Sequence, residues 1–160
     1  MQVYILRHGI AEEGSPGGRD ADRQLTNEGR KRLREVLRLA ETADVLPTRI
    51  ISSPYVRAVQ TAEVAIDVLG YSEDLLKTEA LIPSSNPESV WDELRLHEGV
   101  SQVMLVGHEP LLSRVVAFLL NAPLLAVDMK KAALVRIDIE SFGPQPHGIL
   151  KWMLVPKLAG

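Results

Sequence analysis

Two periodicities alternate along the chain. Residues 2–6 (QVYIL) form an apolar run of the kind a strand buried on both faces shows, and the run breaks at Arg7-His8-Gly9. A Gly-rich polar loop, GSPGGRDAD, follows. From Asn27 to Ala43 the apolar positions Leu33, Val36, Leu37 and Ala40 fall at i, i+3, i+4 and i+7, which predicts an amphipathic helix. Its other face carries Arg30, Lys31, Arg34, Glu35 and Arg38 and reads as a solvated surface.

The alternation continues. Residues 49–52 (RIIS) predict a second short strand, and Ser53-Pro54 then predicts a helix running to about Leu69, with Ser53 as N-cap and Pro54 at the first helical position. Asn86 and Pro87 open a helix over residues 86–97, and residues 102–106 (QVMLV) predict a third buried strand. Gly107-His108-Glu109-Pro110 ends that strand and opens a helix in which Leu112, Val115, Val116 and Leu119 share a face. In residues 134–139, Val135, Ile137 and Ile139 alternate with Arg136 and Asp138, and a Gly/Pro-rich loop leads to a last strand over 149–155. These two late strands include the edge of the sheet.

Strand and helix in this order predict a three-layer α/β/α sandwich, its sheet mostly parallel with an antiparallel edge. The sequence contains no internal repeat, low-complexity tract or interdomain linker, so residues 1–160 are expected to form a single domain.

Composition narrows the chemistry. A formal net charge of -3 and a pI near 5.8 give no bulk attraction to nucleic acid or to an anionic membrane, so any anion site must be local. With no cysteine, disulfides, thiolate metal sites and cysteine nucleophiles are excluded. Neither a signal peptide nor a transmembrane helix is expected from the sequence, and a cytoplasmic location is expected.

In open α/β sheets, ligands sit outside the carboxyl ends of the strands. Arg7-His8-Gly9, Ser52-Ser53-Pro54 with Arg57, and Gly107-His108 all fall at such ends. Arg7 and Arg57 can each offer a planar fork of donors to phosphate oxygens, and the helices opening nearby add positive dipole ends. His8, flanked by two guanidinium groups that disfavour its cation, stays neutral near pH 7 and keeps a lone pair for attack on phosphorus, while His108 can donate to the oxygens as charge develops. Gly9 permits a turn close behind the reactive ring. Taken singly, Arg57 reads as a solvated helix residue and either histidine as a structural group; their joint occurrence at strand ends makes the anion site. His97 and His147 keep the structural reading. No His-x-His or carboxylate-rich cluster points to a metal, and two arginines would repel one.

The pieces LRHG, RQLTNEG, SSPYVRAVQTA and LVGHEP, in this order across nearly the whole chain, resemble the histidine phosphatase superfamily, the phosphoglycerate mutase-like fold. Short length, the MQVYILRHG start and the KWMLVP ending are most similar to its SixA-type phosphohistidine phosphatases. The resemblance implies that His8 is the nucleophile, forming a phosphohistidine intermediate later hydrolysed by water, and that Arg7, Arg57 and His108 line the phosphate pocket. It further implies a substrate-binding role for Arg23, which otherwise reads as an exposed loop residue. Glu79 falls near the segment where ester-cleaving members carry a general acid, and otherwise reads as a surface residue.

The imidazole of phosphohistidine is protonatable near pH 6.5, about its ordinary pKa, so it needs little help to leave, whereas an alkoxide requires an acid. No long insertion builds a lid. The expected activity is therefore a metal-independent, cofactor-free phosphatase acting on a phosphohistidine-bearing protein such as a phosphotransfer domain. A phosphatase for small phosphomonoesters with Glu79 as acid, and a phosphate-binding module without turnover, are the alternatives.

Overall fold

A computed structural model describes all 160 residues. Its elements run β1 (Gln2–Arg7), α1 (Asn27–Thr42), β2 (Arg49–Ser52), α2 (Val56–Leu69), β3 (Leu76–Lys77), α3 (Pro87–Arg95), β4 (Gln102–Gly107), α4 (Leu111–Leu119), β5 (Leu134–Asp138), β6 (Ile149–Leu154) and α5 (Pro156–Ala159). The strands make one six-stranded sheet in the order β3-β2-β4-β1-β5-β6. From β3 to β1 neighbours are parallel; β5 pairs antiparallel with both β1 and β6. This is the mixed three-layer α/β fold that the alternation predicts.

Side chains on successive strand residues point to opposite faces, and each face has its own helices to cover it. Val3, Ile5, Val103 and Leu105 pack toward α3 and α4, against Val90, Leu94, Leu112 and Val115. Tyr4, Leu6, Met104 and Val106 pack toward α1 and α2, against Leu33, Val36, Leu37, Ala58 and Ala62. The central strands are buried on both sides, which is why they read as continuous apolar runs rather than as alternations.

Local signals set most boundaries. The Thr26 hydroxyl caps α1 by accepting the Gly29 amide at 2.9 Å, and the Asn86 side chain caps α3 by accepting the Ser89 amide at 2.9 Å. Gly70 ends α2 in the left-handed conformation at φ 66°. Three short pieces escape the periodicity: β3 has only two residues, and 3-10 turns form at Asp20–Asp22 and Glu79–Leu81. The expected start of α2 is corrected. The helix begins at Val56 with Tyr55 at the cap position, so Ser53 does not cap it and Pro54 precedes it. No helix is long and apolar enough to cross a membrane.

Candidate active site

His8 follows β1 directly, and its backbone is held from both sides. Its amide donates to the Gly107 carbonyl at 3.0 Å, and its carbonyl accepts the Ala132 amide at 3.1 Å. The ring is fixed as well: Nδ1 lies 2.7 Å from the Gly9 carbonyl. A carbonyl oxygen can only accept, so the neutral ring carries its proton on Nδ1 and leaves the lone pair on Nε2. Arg57 Nε points at that lone pair from 3.4 Å, a long contact.

Gly9 does its work through space rather than through an unusual backbone angle. A Cβ there would stand 2.8 Å from Leu33 Cδ1, and one on Gly29 would stand 2.2 Å from the Ile10 carbonyl oxygen. The loop behind His8 therefore crosses the first turn of α1 at a distance only glycine allows. Thr61, one turn beyond Arg57 on α2, ties this loop to the helix: its hydroxyl accepts the Gly9 amide at 3.2 Å and donates to the Arg57 carbonyl at 2.7 Å.

Arg57 is 4% exposed, and each of its three side-chain nitrogens has one partner. Nη1 donates to the Asp20 carbonyl at 2.8 Å and Nη2 to the Asp20 carboxylate at 3.1 Å, while the guanidinium carbon lies 5.3 Å from the centre of the Tyr55 ring. The rings of His8 and His108 are 5.2 Å apart. His108 Nε2 lies 2.8 Å from the Ser53 hydroxyl, which also accepts the Tyr55 amide at 3.2 Å. The hydroxyl proton has no other acceptor, so this network assigns it to His108 Nε2 and leaves the His108 proton on Nδ1. Ser53 is thus used at the site instead of at the helix end.

Arg7, the last residue of β1, donates from Nη1 to the Met129 carbonyl at 2.9 Å. Only two buried side-chain nitrogen or oxygen atoms in the protein lack a partner, and they are Arg7 Nε and His108 Nδ1. Both carry a proton to donate, and an unpaired buried donor costs about 1–3 kcal/mol. Two such donors in one cluster fit an incoming oxyanion.

Burial, more than charge, keeps the two imidazoles neutral. The His8 pKa is pushed down to about 4, mainly by burial, with Arg57, Arg7 and Lys131 adding to the effect against the opposing Gly9 hydrogen bond. That of His108 falls to about 3, again mainly by burial and then by His8 and Arg57. The sequence reading credits the two guanidinium groups; they contribute, but desolvation is the larger cause. Burial also lowers the Arg7 pKa, opposed by Glu109 and Asp128.

The other candidates lie further out. Arg23 donates to the Glu12 carbonyl at 2.7 Å and pairs with Asp20 at 3.0 Å, so it reaches the cluster through Asp20. Glu79 begins the 3-10 turn after β3, on the same rim, but is exposed, and its side chain makes no hydrogen bond or ion pair. His97 accepts from Arg49 at 2.9 Å and sits near Glu93, at the opposite end of the sheet, and His147 is exposed. No group of three or more His, Asp or Glu side chains gathers anywhere as a metal site would.

The pattern of the histidine phosphatase superfamily (branch 1) matches residues 3–82, half of the chain. The chain belongs to the histidine phosphatase superfamily. It is therefore a phosphatase of a group that acts without metal ions. It is similar to the phosphohistidine phosphatase SixA of Escherichia coli, at 27% identity covering 98% of this chain and 94% of that protein. A SixA homolog of Haemophilus influenzae is 34% identical over 73% of this chain and 76% of its own. Among solved structures, protein histidine phosphatase SixA complexed with tungstate superposes with a TM-score of 0.86 at 27% identity, covering 99% of both chains.

Asp20, Ser53 as a partner of His108, and Thr61 are the parts of this candidate site that the sequence reading misses. Thr61 was open to inference from its i+4 spacing after Arg57 on the predicted helix. Asp20 lies in an aperiodic Gly-rich loop, where spacing carries no information about contacts.

Proposed function

We propose that this phosphatase removes the phosphoryl group from a phosphohistidine carried by a protein, through a phosphohistidine intermediate on His8. The observation that carries the reading is the Nδ1 contact with the Gly9 carbonyl, 2.7 Å long, which leaves His8 Nε2 as a buried, neutral nucleophile. In the first step the Nε2 lone pair forms a bond to phosphorus while the bond to the substrate imidazole breaks. Its electron pair leaves with the substrate nitrogen. Positive charge developing on the His8 ring is stabilised through Nδ1–H and the Gly9 carbonyl. In the second step water attacks phosphorus, the bond to Nε2 breaks, and phosphate and the original neutral ring are released.

Arg7, Arg57 and His108 are assigned to the phosphoryl oxygens. The unpartnered protons on Arg7 Nε and His108 Nδ1 support this, and a SixA structure complexed with tungstate is in keeping with an oxyanion as the ligand of such a fold. Arg23 acts indirectly, by holding Asp20. Glu79 is exposed and touches none of the cluster, which favours a leaving group that takes its proton from solvent over an alkoxide. A phosphohistidine-bearing phosphotransfer domain is the kind of partner this chemistry suits.

A turnover experiment tests the reading. Rapid quenching without acid should trap an acid-labile, alkali-stable phosphoramidate on His8, absent in His8→Ala, and the enzyme should prefer a phosphohistidine protein to small phosphate esters with undiminished activity after exhaustive chelation. A label on serine, or faster turnover of the esters, would overturn it.

A further inference from the structure

A groove of about 650 Å³ opens beside Arg7, between the loop that follows His8 and the C-terminal turn of the chain. Val155 and Pro156 contribute apolar wall, and five cations line it: Arg7, Arg32, Lys130, Lys131 and Lys157. This concentration runs against the sign of the whole chain, which carries 21 acidic and 18 basic residues. Neighbouring carboxylates neutralise it only in part. Arg32 pairs with Glu28 and Glu35, and Lys130 pairs with Asp128 in the open, whereas Arg7, Lys131 and Lys157 have no carboxylate within ion-pair distance.

The groove is continuous with the phosphoryl site through the backbone that presents the lysines. Arg7 donates to the Met129 carbonyl, the Ala132 amide donates to the His8 carbonyl at 3.1 Å, and the Arg7 amide donates to the Ala133 carbonyl at 3.0 Å. Ala132 is held at φ 63°, a left-handed conformation that a residue with a Cβ adopts only under constraint from its surroundings. Lys130 and Lys131 are thus fixed beside the nucleophile rather than scattered on a mobile loop. Lys131 is close enough for its charge to help keep His8 neutral.

Exposed lysine ammoniums around an apolar wall do not make the convergent, forked donor set that grips a lone phosphate. They suit an extended ligand that brings several carboxylates on apolar stems. We propose that this groove docks an acidic segment beside the phosphohistidine of the partner protein and so selects the substrate; the inference rests on the phosphohistidine reading above. Charge complementarity of this type acts on encounter and on KM more than on the chemical step, and fades as salt screens it.

The test uses the full-length enzyme and the double variant Lys130→Glu/Lys157→Glu, both sites being exposed and outside the phosphoryl pocket. Two substrates are compared: a phosphotransfer domain with acidic surface residues around its phosphohistidine, and free phosphohistidine. The variant should lose about tenfold or more in kcat/KM toward the domain at low salt, mainly through KM, while free phosphohistidine is turned over within about twofold of the parent. A control, Arg38→Glu/Lys151→Glu, makes the same change in net charge elsewhere and should alter neither. Equal loss on both substrates, no loss on the domain, or the same loss in the control overturns the docking role. If the parent cleaves neither phosphohistidine substrate, the proposed function fails by itself. The groove is then decided by titration with an oligoglutamate peptide, which the parent should bind in a salt-dependent way and the double variant should not; no binding to the parent overturns it.

Discussion

The Ser53 hydroxyl stands 2.8 Å from His108 Nε2 and at the same time accepts the Tyr55 amide at 3.2 Å, so its one proton is directed at the imidazole. That arrangement places the His108 proton on Nδ1, the atom with no partner in the protein. Ser53 therefore decides whether His108 presents a donor or a lone pair to an anion.

Replacing Ser53 by alanine removes the acceptor of the Tyr55 amide and frees the His108 tautomer. Turnover in Ser53→Ala should fall by roughly tenfold to a hundredfold, less than complete loss of a preorganised donor, with a smaller change in KM. Nitrogen-15 chemical shifts of His108 should show the proton leaving Nδ1 for Nε2. A variant with unchanged shifts and unchanged turnover would reduce Ser53 to a packing residue.

The pH dependence follows from two depressed pKa values. His8 near 4 and His108 near 3 in the folded state compare with about 6.5 for an unfolded histidine. Between about pH 4 and 6.5 the unfolded chain binds protons on these rings and the folded chain does not, so stability rises with pH across this window and is lost as pH falls through it. With both rings contributing, the steepest slope is about 2.7 kcal/mol per pH unit. Urea unfolding at pH 7, 6 and 5 checks the slope, and ring proton signals of His8 and His108 should stay in the neutral form down to pH 5. A midpoint near 6.5 for either ring would contradict the burial argument.

Asp20 holds the two Nη atoms of Arg57 through its carbonyl and its carboxylate; if Arg57 binds the phosphoryl group as proposed, the carboxylate both orients it and repels an incoming dianion. Hydrogen bonding to Arg23, and to a lesser degree to Arg57, holds its own pKa below the ordinary carboxylate value. Asp20→Asn keeps the carbonyl contact and removes the charge. Inorganic phosphate should then inhibit several-fold more strongly, by competitive kinetics, and weaker inhibition would show that orientation of Arg57 outweighs repulsion.

Glu79 is exposed and its side chain has no partner, so if the leaving imidazole takes its proton from solvent, as proposed, Glu79 is expected to be dispensable. Glu79→Gln should keep phosphohistidine hydrolysis within roughly tenfold of the parent, whereas a true general acid is worth about 10² to 10⁴. Measured turnover of phosphohistidine and of a small phosphate ester in this variant separates the cases: parallel collapse of both would restore Glu79 as the acid.

The linear pattern determined what depends on neighbours in the chain. The runs VYIL and VMLV read as strands because a short, continuous apolar run bounded by polar and turn residues fits a central strand covered on both faces, and α1 is legible because its apolar stripe recurs with the helical period. Strand ends then locate the rim, and with it Arg7, His8 and His108, since in a parallel sheet the carboxyl ends lie together. Tertiary structure alone decided the rest. That the Gly9 carbonyl holds Nδ1 of His8, that Ser53 turns from helix cap to partner of His108, and that Asp20 reaches Arg57 across 37 positions of sequence are outcomes of packing between segments whose order carries no distance information. Burial, the main cause of the low pKa values, is likewise a property of the assembled layers: the sequence shows the charges around His8, while only the fold removes the water.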